Sequence, residues 1–490
     1  MTSRSILCRV GVTVVVVVLA STLQACRTGP EIDVTTPLPA AVPQFPRHVD
    51  AVVRVTTSNG LTIPADYQGF SFEASAMCGL LRLDNRHRAR FERLFRNLGP
   101  GVIHVGGRST DLARWVPNGR ASCSHAEPVI TTNEIRTIFH LARRVGWKVL
   151  WELPLAHFDP AKDAAEASAI ASIAGNRLLG WTIGNEPDLY YRFWSRPLSW
   201  GYVNFFHQWN RTRIAVQHAV PTSRFVGPET CCNYLDFGSF AGDARDMVSA
   251  LSLHYYAGST PSNPVAYLLS RVPDQKLAQL SANAWHASAR IDHMPLYVTE
   301  TNTLPAGGKR GVSDTFAAGL WLVDFLFDAL KLHISQADVQ QSAPGAHIYY
   351  NPISRGGRPN PLYYGMLFFH NAVPPGSRFL NAHLTTSANV TAYAVGLPND
   401  GLNVVVVNKS ARRKTVEVHL GVDYQTVGVI RLAAISLAAK DSGITLGGRH
   451  VSARGTWRPR LTRFPLHGRS VTVNVPADSA AAIEFRGKRG

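Results

Sequence analysis

The chain has 490 residues, of which 45% are hydrophobic, and it carries a formal net charge of +17. This length exceeds what one hydrophobic core supports, so we expect a large domain and a smaller one, and the composition excludes a disordered or fibrous chain. The charge favours an anionic partner such as acidic polysaccharide, nucleic acid or anionic lipid. A generally basic extracellular protein fits the charge equally well.

The N-terminus has the pattern of a secretory signal. Arg4 and Arg9 precede an apolar run at residues 10–19, which is too short for a comfortable transmembrane helix. The sequence Leu-Gln-Ala-Cys that follows ends at Cys26 and resembles the bacterial lipoprotein box, in which this cysteine becomes the lipidated first residue. We therefore expect an exported lipoprotein that faces outward from the cell membrane. Gln24 is unusual in that box, so a plain secreted protein is the alternative.

Strand and helix patterns divide the chain into four parts. A signal peptide at 1–25 and a Pro/Thr-rich tether at 26–47 precede a region from 48 to 371, where strand-like and helical segments alternate. About eight β/α units there predict an α/β fold, a closed (β/α)8 TIM barrel. From 372 to 490 the strands alternate with Gly, Asn, Asp and Pro, which predicts an antiparallel β-sandwich. The first strand, at 48–57, precedes the barrel pattern, and we expect it to pair with the C-terminal domain.

In chain order, the predicted barrel strands cover residues 69–73, 102–107, 148–153, 178–186, 224–229, 250–256, 296–300 and 338–341. The predicted helices between them cover residues 88–98, 133–145, 162–174, 200–219, 274–290 and 313–332. The predicted strands of the second domain cover residues 391–395, 402–407, 414–419, 427–436 and 470–475.

Two of the predicted barrel strands end in glutamate. Pro187 cannot continue a ladder, so the strand that contains Asn185 and Glu186 stops there, and Glu300 ends a later strand. The carboxyl ends of barrel strands form the catalytic face, and two carboxyls at that face favour glycoside hydrolysis with retention of configuration. Because Asn185 can bind a sugar 2-hydroxyl, we assign Glu186 as the acid/base and Glu300 as the nucleophile.

Other polar residues also lie at strand ends. Glu152 and Glu229 could bind sugar hydroxyls or tie the barrel mouth together through salt bridges, and we favour the structural interpretation. His254 and Tyr256 end the sixth strand, and a tyrosine hydroxyl there can hold the nucleophile ionised, although such residues also simply pack. Gly307 lies in a Gly-Gly loop after the nucleophile, where backbone amides can approach an anion, and loop flexibility is the alternative interpretation.

The cysteines indicate an oxidising compartment. Four remain after the signal peptide and the lipid site, and four cysteines allow three pairings. We favour Cys78 with Cys123 and Cys231 with the adjacent Cys232. Zinc is the rival reading, but paired Cys-x-x-Cys spacing is missing, and we expect neither a metal nor a cofactor.

These motifs resemble the heparanase and β-glucuronidase family of retaining (β/α)8 glycosidases. The resemblance covers roughly residues 51–369. It lies in Asn185-Glu186-Pro187, in Glu300-Thr301 followed by Gly307-Gly308, in the run Ser-Asp-Thr-Phe-Ala-Ala-Gly at 313–319, in Gly-Gly-Arg-Ser-Thr-Asp at 106–111, and in His254-Tyr255-Tyr256.

The resemblance implies substrate positions. Glu73 falls where the family places an acid that contacts the sugar, and Tyr256 would hold the nucleophile. The backbone at Gly307, with Gln341 and Tyr349, would bind the glucuronate carboxylate. The substrate-binding set that we expect is Glu73, Asn185, His254, Tyr256, Gly307, Gln341 and Tyr349.

Two departures from the family pattern bear on the substrate. Pro305 stands where the family often has tyrosine, which puts the uronate contact in doubt. The segment between Asp111 and Lys148 lacks the excised linker of animal heparanases, so we expect a single chain with exo action. The leading hypothesis is a β-glucuronidase that releases glucuronic acid from a polysaccharide or glycoside.

Two alternatives remain open. The first is a retaining exoglycosidase for a neutral sugar, such as a xylosidase or arabinofuranosidase. The second is a non-catalytic surface module that binds acidic polysaccharide through a run of arginines, although such a run usually marks a solvated helix face. We find no nucleic-acid recognition motif. The run comprises Arg82, Arg86, Arg88, Arg90, Arg93 and Arg96.

Overall fold

The computed structural model describes residues 49–56, 60–81, 83–193, 196–231, 234–258, 260, 262–289, 294–342, 347–354 and 356–488. The predicted signal peptide, tether and lipidated Cys26 lie outside these residues. Among the helices of the described ranges, none combines the length and the apolar character that crossing a membrane requires.

The strands are β1 (Ala51–Val55), β2 (Leu61–Thr62), β3 (Gln68–Phe72), β4 (Val102–Val105), β5 (Arg114–Trp115), β6 (Val129–Ile130), β7 (Lys148–Leu153), β8 (Leu178–Ile183), β9 (Val226–Thr230), β10 (Ala250–Tyr256), β11 (Leu296–Asn302), β12 (Ile334–Gln341), β13 (Arg378–Leu380), β14 (Ala382–Thr386), β15 (Val390–Gly396), β16 (Leu402–Asn408), β17 (Lys414–His419), β18 (Tyr424–Ala434), β19 (Ile444–Leu446), β20 (Arg463–Pro465), β21 (Ser470–Val475) and β22 (Ser479–Lys488).

The helices are α1 (Ala74–Leu81), α2 (Asn85–Asn97), α3 (Arg108–Asp111), α4 (Thr132–Val145), α5 (Pro160–Ala174), α6 (Tyr190–Phe193), α7 (Tyr202–Ala219), α8 (Tyr234–Asp243), α9 (Pro264–Leu268), α10 (Val272–Ala289), α11 (Phe316–Lys331) and α12 (Pro361–Ala372).

The larger domain is a parallel barrel. Its strands run in the order β8-β7-β4-β3-β12-β11-β10-β9. Two hydrogen bonds connect the first and last strands of this order, β8 and β9, and so close the barrel. Trp181 N donates to Arg224 O at 2.8 Å, and Glu186 N donates to Glu229 O at 3.0 Å. Every residue of the central strand β3 is buried, as expected where helices cover the outside and side chains fill the inside. The predicted TIM barrel is confirmed.

Helix α12 was not predicted from the sequence. It is buried almost throughout, so it shows no amphipathic period that would identify it. It packs closely on α11, where a Cβ at Gly319 would lie 2.5 Å from Pro361 O and a Cβ at Gly365 would lie 2.6 Å from Gly319 O. The two glycines therefore permit a backbone contact that larger residues would prevent.

The C-terminal strands form two sheets around a second core. One has the order β14-β1-β17-β21 and the other β19-β18-β22-β16-β15-β13-β2, with β20 paired to β18. The strand that precedes the barrel, β1, is antiparallel to β14 and parallel to β17. Val53, Val404, Val416 and Ile483 are fully buried between the sheets. The predicted antiparallel sandwich is therefore present, with one parallel pair that the sequence did not predict.

A buried ion pair joins the barrel to this sandwich. Lys409, which follows β16, places Nζ 2.5 Å from Asp324 Oδ2 of α11 and 3.7 Å from Asp274 Oδ2 of α10. Tyr393 of β15 donates to Asp324 at 3.1 Å and to Asp328 at 3.0 Å. Burial alone would lower the pKa of Lys409, but the charge of Asp324 raises it above its usual value. The contact therefore holds a charged lysine inside the domain interface.

Replacing Lys409 by alanine should destabilise the protein by about 3–5 kcal/mol, because removing one partner leaves buried carboxylates without a cation. The control is Lys414→Ala, which breaks a more exposed pair with Asp50 at 3.1 Å and should cost about 0–1 kcal/mol. Urea unfolding of the two variants measures the difference. Equal small losses would show that the interface does not depend on the buried pair.

Candidate active site

The chain turns sharply between the end of β8 and the first candidate glutamate. The strand ends at Ile183, three residues before the predicted end, and Gly184 (φ +77°) and Glu186 (φ +46°) are both left-handed. A Cβ at Gly184 would lie 2.8 Å from Tyr190 Oη, so both the angle and the space require glycine. A non-glycine residue with positive φ is strained and is typical of functional sites.

Glu186 and Glu300 come together at the mouth of the barrel. One carboxylate oxygen of each, with a ring nitrogen of His254, form a group whose atoms all lie within 4.8 Å of one another. Retaining glycosidases hold their two carboxyls about 5–5.5 Å apart, whereas inverting enzymes need about 6.5–9.5 Å. Carboxylate oxygens this close fit double displacement.

Glu300 is held by a tyrosine and faces a glycine. Tyr256 Oη donates to Glu300 Oε1 at 2.6 Å, and Oε2 accepts no hydrogen bond from the described residues. A Cβ at Gly107 (φ +91°) would lie 3.2 Å from Oε2, so a larger residue there would crowd this buried oxygen. Burial raises the pKa of Glu300 to about 7, an effect that the charge of His254 opposes and that of Glu186 adds to. The expected contact between Tyr256 and Glu300 is present.

His254 connects two carboxylates. Its Nδ1 lies 3.1 Å from Glu186 Oε1 and its Nε2 lies 3.0 Å from Glu229 Oε2, and the ring is 1% exposed. Burial alone would lower the pKa of His254, but the charge of Glu300 and the hydrogen bonds to Glu186 and Glu229 raise it well above its usual value. Both ring nitrogens then donate. The substrate contact that we expected of His254 does not fit this geometry, since the ring is committed to orienting Glu186.

Glu229, which the sequence indicated as a structural acid, is the partner of His254 in the structure. It is fully buried at the end of β9, and Thr299 Oγ1 donates to both of its oxygens at 3.0 Å. Burial acts to raise the pKa of Glu229, but the hydrogen bond from His254 lowers it below its usual value. Glu229 is therefore an ionised partner for His254, and through it a positioning residue for Glu186. Its only sequence signal was its place at a strand end.

Glu73 forms another wall of the site, as the resemblance implied. It accepts from Ser342 Oγ at 3.0 Å and from Gln340 Nε2 at 3.4 Å, and His125 Nδ1 lies 3.1 Å away. Burial acts to raise the pKa of Glu73, but the hydrogen bond from His125 lowers it overall. His125 was not predicted, because it lies in an irregular loop far from Glu73 in the chain.

A disulfide ties this loop to α1. Cys78 and Cys123 are bonded, with Cα atoms 5.2 Å apart, as predicted. Cys231 also takes part in a disulfide, and Cys232, its predicted partner, lies outside the described residues. The first bond fixes the segment that presents His125 to the barrel mouth.

The predicted uronate contacts are partly rearranged. The side-chain amide of Gln341 makes two hydrogen bonds with the backbone of Ile353. Its Nε2 donates to Ile353 O at 3.0 Å, and its Oε1 accepts from Ile353 N at 2.8 Å. Gln340, on the opposite face of the same strand, reaches Glu73 instead, because successive side chains alternate. Gly307 (φ +90°) accepts from Tyr349 N at 2.7 Å, so the glycine loop and Tyr349 do lie together. Gln341 supports this wall and Gln340 borders the carboxylates.

Asn185 lies beside Glu186 and is 4% exposed. Its Oδ1 has no hydrogen-bond donor among the described residues. A buried amide oxygen without a protein donor is costly, and a sugar hydroxyl would satisfy it. This agrees with the position that we expected for the 2-hydroxyl contact.

Among the residues that the structure describes, two groups of side chains have the spacing of metal ligands, namely His104 with Glu152 and Glu229, and Glu186 with His254 and Glu300. Burial raises the pKa of Glu152 well above its usual value, which favours the neutral carboxyl, a poor ligand. The nitrogens of His254 are both donors. The absence of a metal from the reaction stays a prediction.

The chain is similar in sequence to curated β-glucuronidases. No protein-family profile matches the chain. A β-glucuronidase of Neurospora crassa is 24% identical over 418 residues, which cover 72% of this chain and 71% of that protein. A β-glucuronidase of Aspergillus niger is 25% identical over 276 residues, which cover 49% of each chain.

Solved structures show the same architecture. A 4-O-α-L-rhamnosyl-β-D-glucuronidase of Fusarium oxysporum 12S has a TM-score of 0.75 and 20% identity, covering 88% of this chain and 99% of its own. A GH51 arabinofuranosidase of Xanthomonas axonopodis pv. citri has a TM-score of 0.67 and 13% identity, covering 90% and 100%. These comparisons bear out the predicted glycosidase fold and the resemblance to the β-glucuronidases. The link to heparanase stays a prediction.

Replacing Tyr256 by phenylalanine should move the acid limb of the pH profile of kcat/KM upward by about one unit, because a hydrogen bond to a charged group contributes about 1.5–3 kcal/mol. The bond stabilises ionised Glu300, so its loss raises the pKa of that carboxyl, and the nucleophile must be ionised to attack. In the wild type this limb should fall near pH 7. Tyr255→Phe is the matched control, since Tyr255 Oη donates to Pro273 O instead. An unshifted acid limb in Tyr256→Phe would contradict the assignment.

Proposed function

We propose that the protein is a retaining, exo-acting β-glucuronidase that releases glucuronic acid from a polysaccharide or glycoside. The observation that carries the proposal is the approach of Glu186 and Glu300, from two separate strand ends, to within 4.8 Å at the barrel mouth. The similarity to the β-glucuronidases of Neurospora crassa and Aspergillus niger supports the choice of glucuronic acid.

In the first step, Glu300 Oε2 attacks the anomeric carbon while Glu186 donates a proton to the departing oxygen. The bond to the leaving group breaks and a covalent glycosyl ester on Glu300 forms. His254 occupies Glu186 Oε1, so Oε2 of Glu186 is the oxygen that carries the proton. In the second step, Glu186 accepts a proton from water, which displaces Glu300 and releases the sugar with its configuration retained.

Tyr256 contacts Glu300, and His254 contacts Glu186. The tyrosine hydroxyl stabilises negative charge on Glu300 before attack and after departure. The imidazolium of His254 orients Glu186 and is held in place by Glu229. The buried Oδ1 of Asn185, which has no hydrogen-bond donor among the described residues, suits a 2-hydroxyl contact that strengthens as positive charge develops on the sugar.

Replacing Glu300 by glutamine should lower kcat on a chromogenic β-glucuronide by at least about a thousandfold, since the amide cannot form the ester. Glu417→Gln, which changes a carboxylate on β17 of the sandwich, is the control and should keep wild-type turnover. Burst kinetics of the wild type would show the covalent intermediate. Equal turnover by Glu300→Gln and the wild type would disprove the catalytic assignment.

The sugar is tested separately with the wild type. The glucuronide should be hydrolysed with a kcat/KM about 10²-fold or more above the matching glucoside and xyloside, because a buried site built for a charged group loses that contact with the neutral analogue. A preference for the xyloside would support the neutral-sugar enzyme that Pro305 favours. The catalytic pair would stand in that case, and only the uronate would be wrong.

We also propose that the protein is exported and held at the membrane by lipid on Cys26. The support is the signal-like N-terminus, together with the disulfide between Cys78 and Cys123, a bond typical of oxidising compartments. Cells fed radiolabelled palmitate should label the wild type but not Cys26→Ser, and the variant should leave the membrane fraction. Label in both proteins, or in neither, would contradict the anchor.

A further inference from the structure

A cleft on the outer wall of the barrel lies between α2 and α4. It encloses a cavity of about 550 Å³, within the size range of ligand sites. Arg88 of α2 lines one side, and Arg136, His140 and Arg143 line the other. The three residues of α4 are spaced i, i+4 and i+7, so they share one face of the helix. We call this feature the cationic cleft.

The arginines of the cleft have no acidic partner among the described residues. Arg88 donates only to the backbone, at Leu83 O (3.5 Å), and Arg143 only to Ile173 O (3.0 Å). The one acid in the cleft, Glu92, already accepts from Arg96 at 2.9 Å and from Arg144 at 2.9–3.0 Å. The positive charge facing the cavity is therefore uncompensated.

The floor of the cleft is apolar. Phe91 and Leu141 are buried beneath the exposed guanidinium groups. Cationic walls above an apolar floor suit a ligand that carries carboxylates along its edge and C–H groups on its face, since arginine pairs well with planar carboxylates. A chain of uronic acid residues has both features.

We propose that the cationic cleft is a second, non-catalytic binding site for an acidic polysaccharide, and that it holds the polymer on the outer wall of the barrel. Concavity favours a chain over a membrane, because a bilayer surface cannot enter a cleft between two helices. Nucleic acid fits less well, since Phe91 is buried and offers no face on which a base could stack. The proposal depends on none of the catalytic assignments.

The test uses the full chain carrying Glu300→Gln, so that hydrolysis does not remove the ligand. Binding to polygalacturonate is measured by affinity electrophoresis and calorimetry at low and moderate salt. Adding Arg88→Gln, Arg136→Gln and Arg143→Gln should weaken binding about tenfold or more, with a smaller salt dependence than the parent.

A matched control removes three arginines from loops of the sandwich domain, by Arg412→Gln, Arg413→Gln and Arg460→Gln. It loses the same charge and should bind the polymer as the parent does. When the three cleft substitutions Arg88→Gln, Arg136→Gln and Arg143→Gln are made in the active enzyme, which keeps Glu300, they give the cleft variant. This variant should hydrolyse a small chromogenic glucuronide at the wild-type rate and keep the wild-type Tm. Single Arg136→Gln, which removes no hydrogen bond of the described chain, should weaken binding in the same direction.

Three outcomes would overturn the proposal. Equal weakening in the control would show that net charge alone attracts the polymer, and unchanged binding in the cleft variant would place the site elsewhere. A parent that binds vesicles of anionic and neutral phospholipid but not polygalacturonate, and loses the vesicles on cleft substitution, would make the cleft a lipid site. Failure of glucuronide hydrolysis leaves each of these binding results unaffected, so the two proposals fail separately.

Discussion

A protonated histidine buried among three carboxylates is the interaction on which the active site depends. His254 lies between Glu186 and Glu229, and its charge also acts on Glu300. Burying an unpaired charge costs many kcal/mol, whereas a fully hydrogen-bonded group of opposite charges is tolerated. The four residues come from the ends of β8, β9, β10 and β11, so the register of four neighbouring strands must be correct for the charges to meet.

The register contains irregularities at the required places. The pairing of β10 with β11 shifts between Leu253 and His254, which sets His254 opposite Glu300. The pairing of β10 with β9 shifts one residue earlier, between Ser252 and Leu253. Bulges of this kind re-aim side chains beside active sites. The segment from Ser252 to His254 therefore interrupts the regular strand pairing and places the imidazole of His254 between Glu186 and Glu229.

The sequence predicted what depends on local pattern. The apolar run that ends in Asn185-Glu186-Pro187 predicts a barrel strand that carries a catalytic glutamate at its end. The strand-end Glu300 then predicts the second glutamate of the pair. The sequence could not predict that Glu229 is the partner of His254 or that His125 is the partner of Glu73. These contacts join residues 25 and 52 positions apart, and they depend on tertiary packing alone. Which of Gln340 and Gln341 borders the active-site carboxylates depends on which face of β12 points toward the site. A shift of one residue in the register of the strand would exchange the two side chains.

The charge of the molecule has a physical role once the site is known to be acidic. Glu73, Glu186, Glu229 and Glu300 line or support the barrel mouth, and His254 and His125 offset only part of that charge. A glucuronate that approaches these carboxylates is repelled at short range, and hydrogen bonds from the site must overcome that repulsion. At long range the formal charge of +17 has the opposite effect, because a positive surface raises the local concentration of anionic chains. The acidic mouth holds the catalytic carboxylates, and the net positive charge of the chain favours the approach of an anionic substrate.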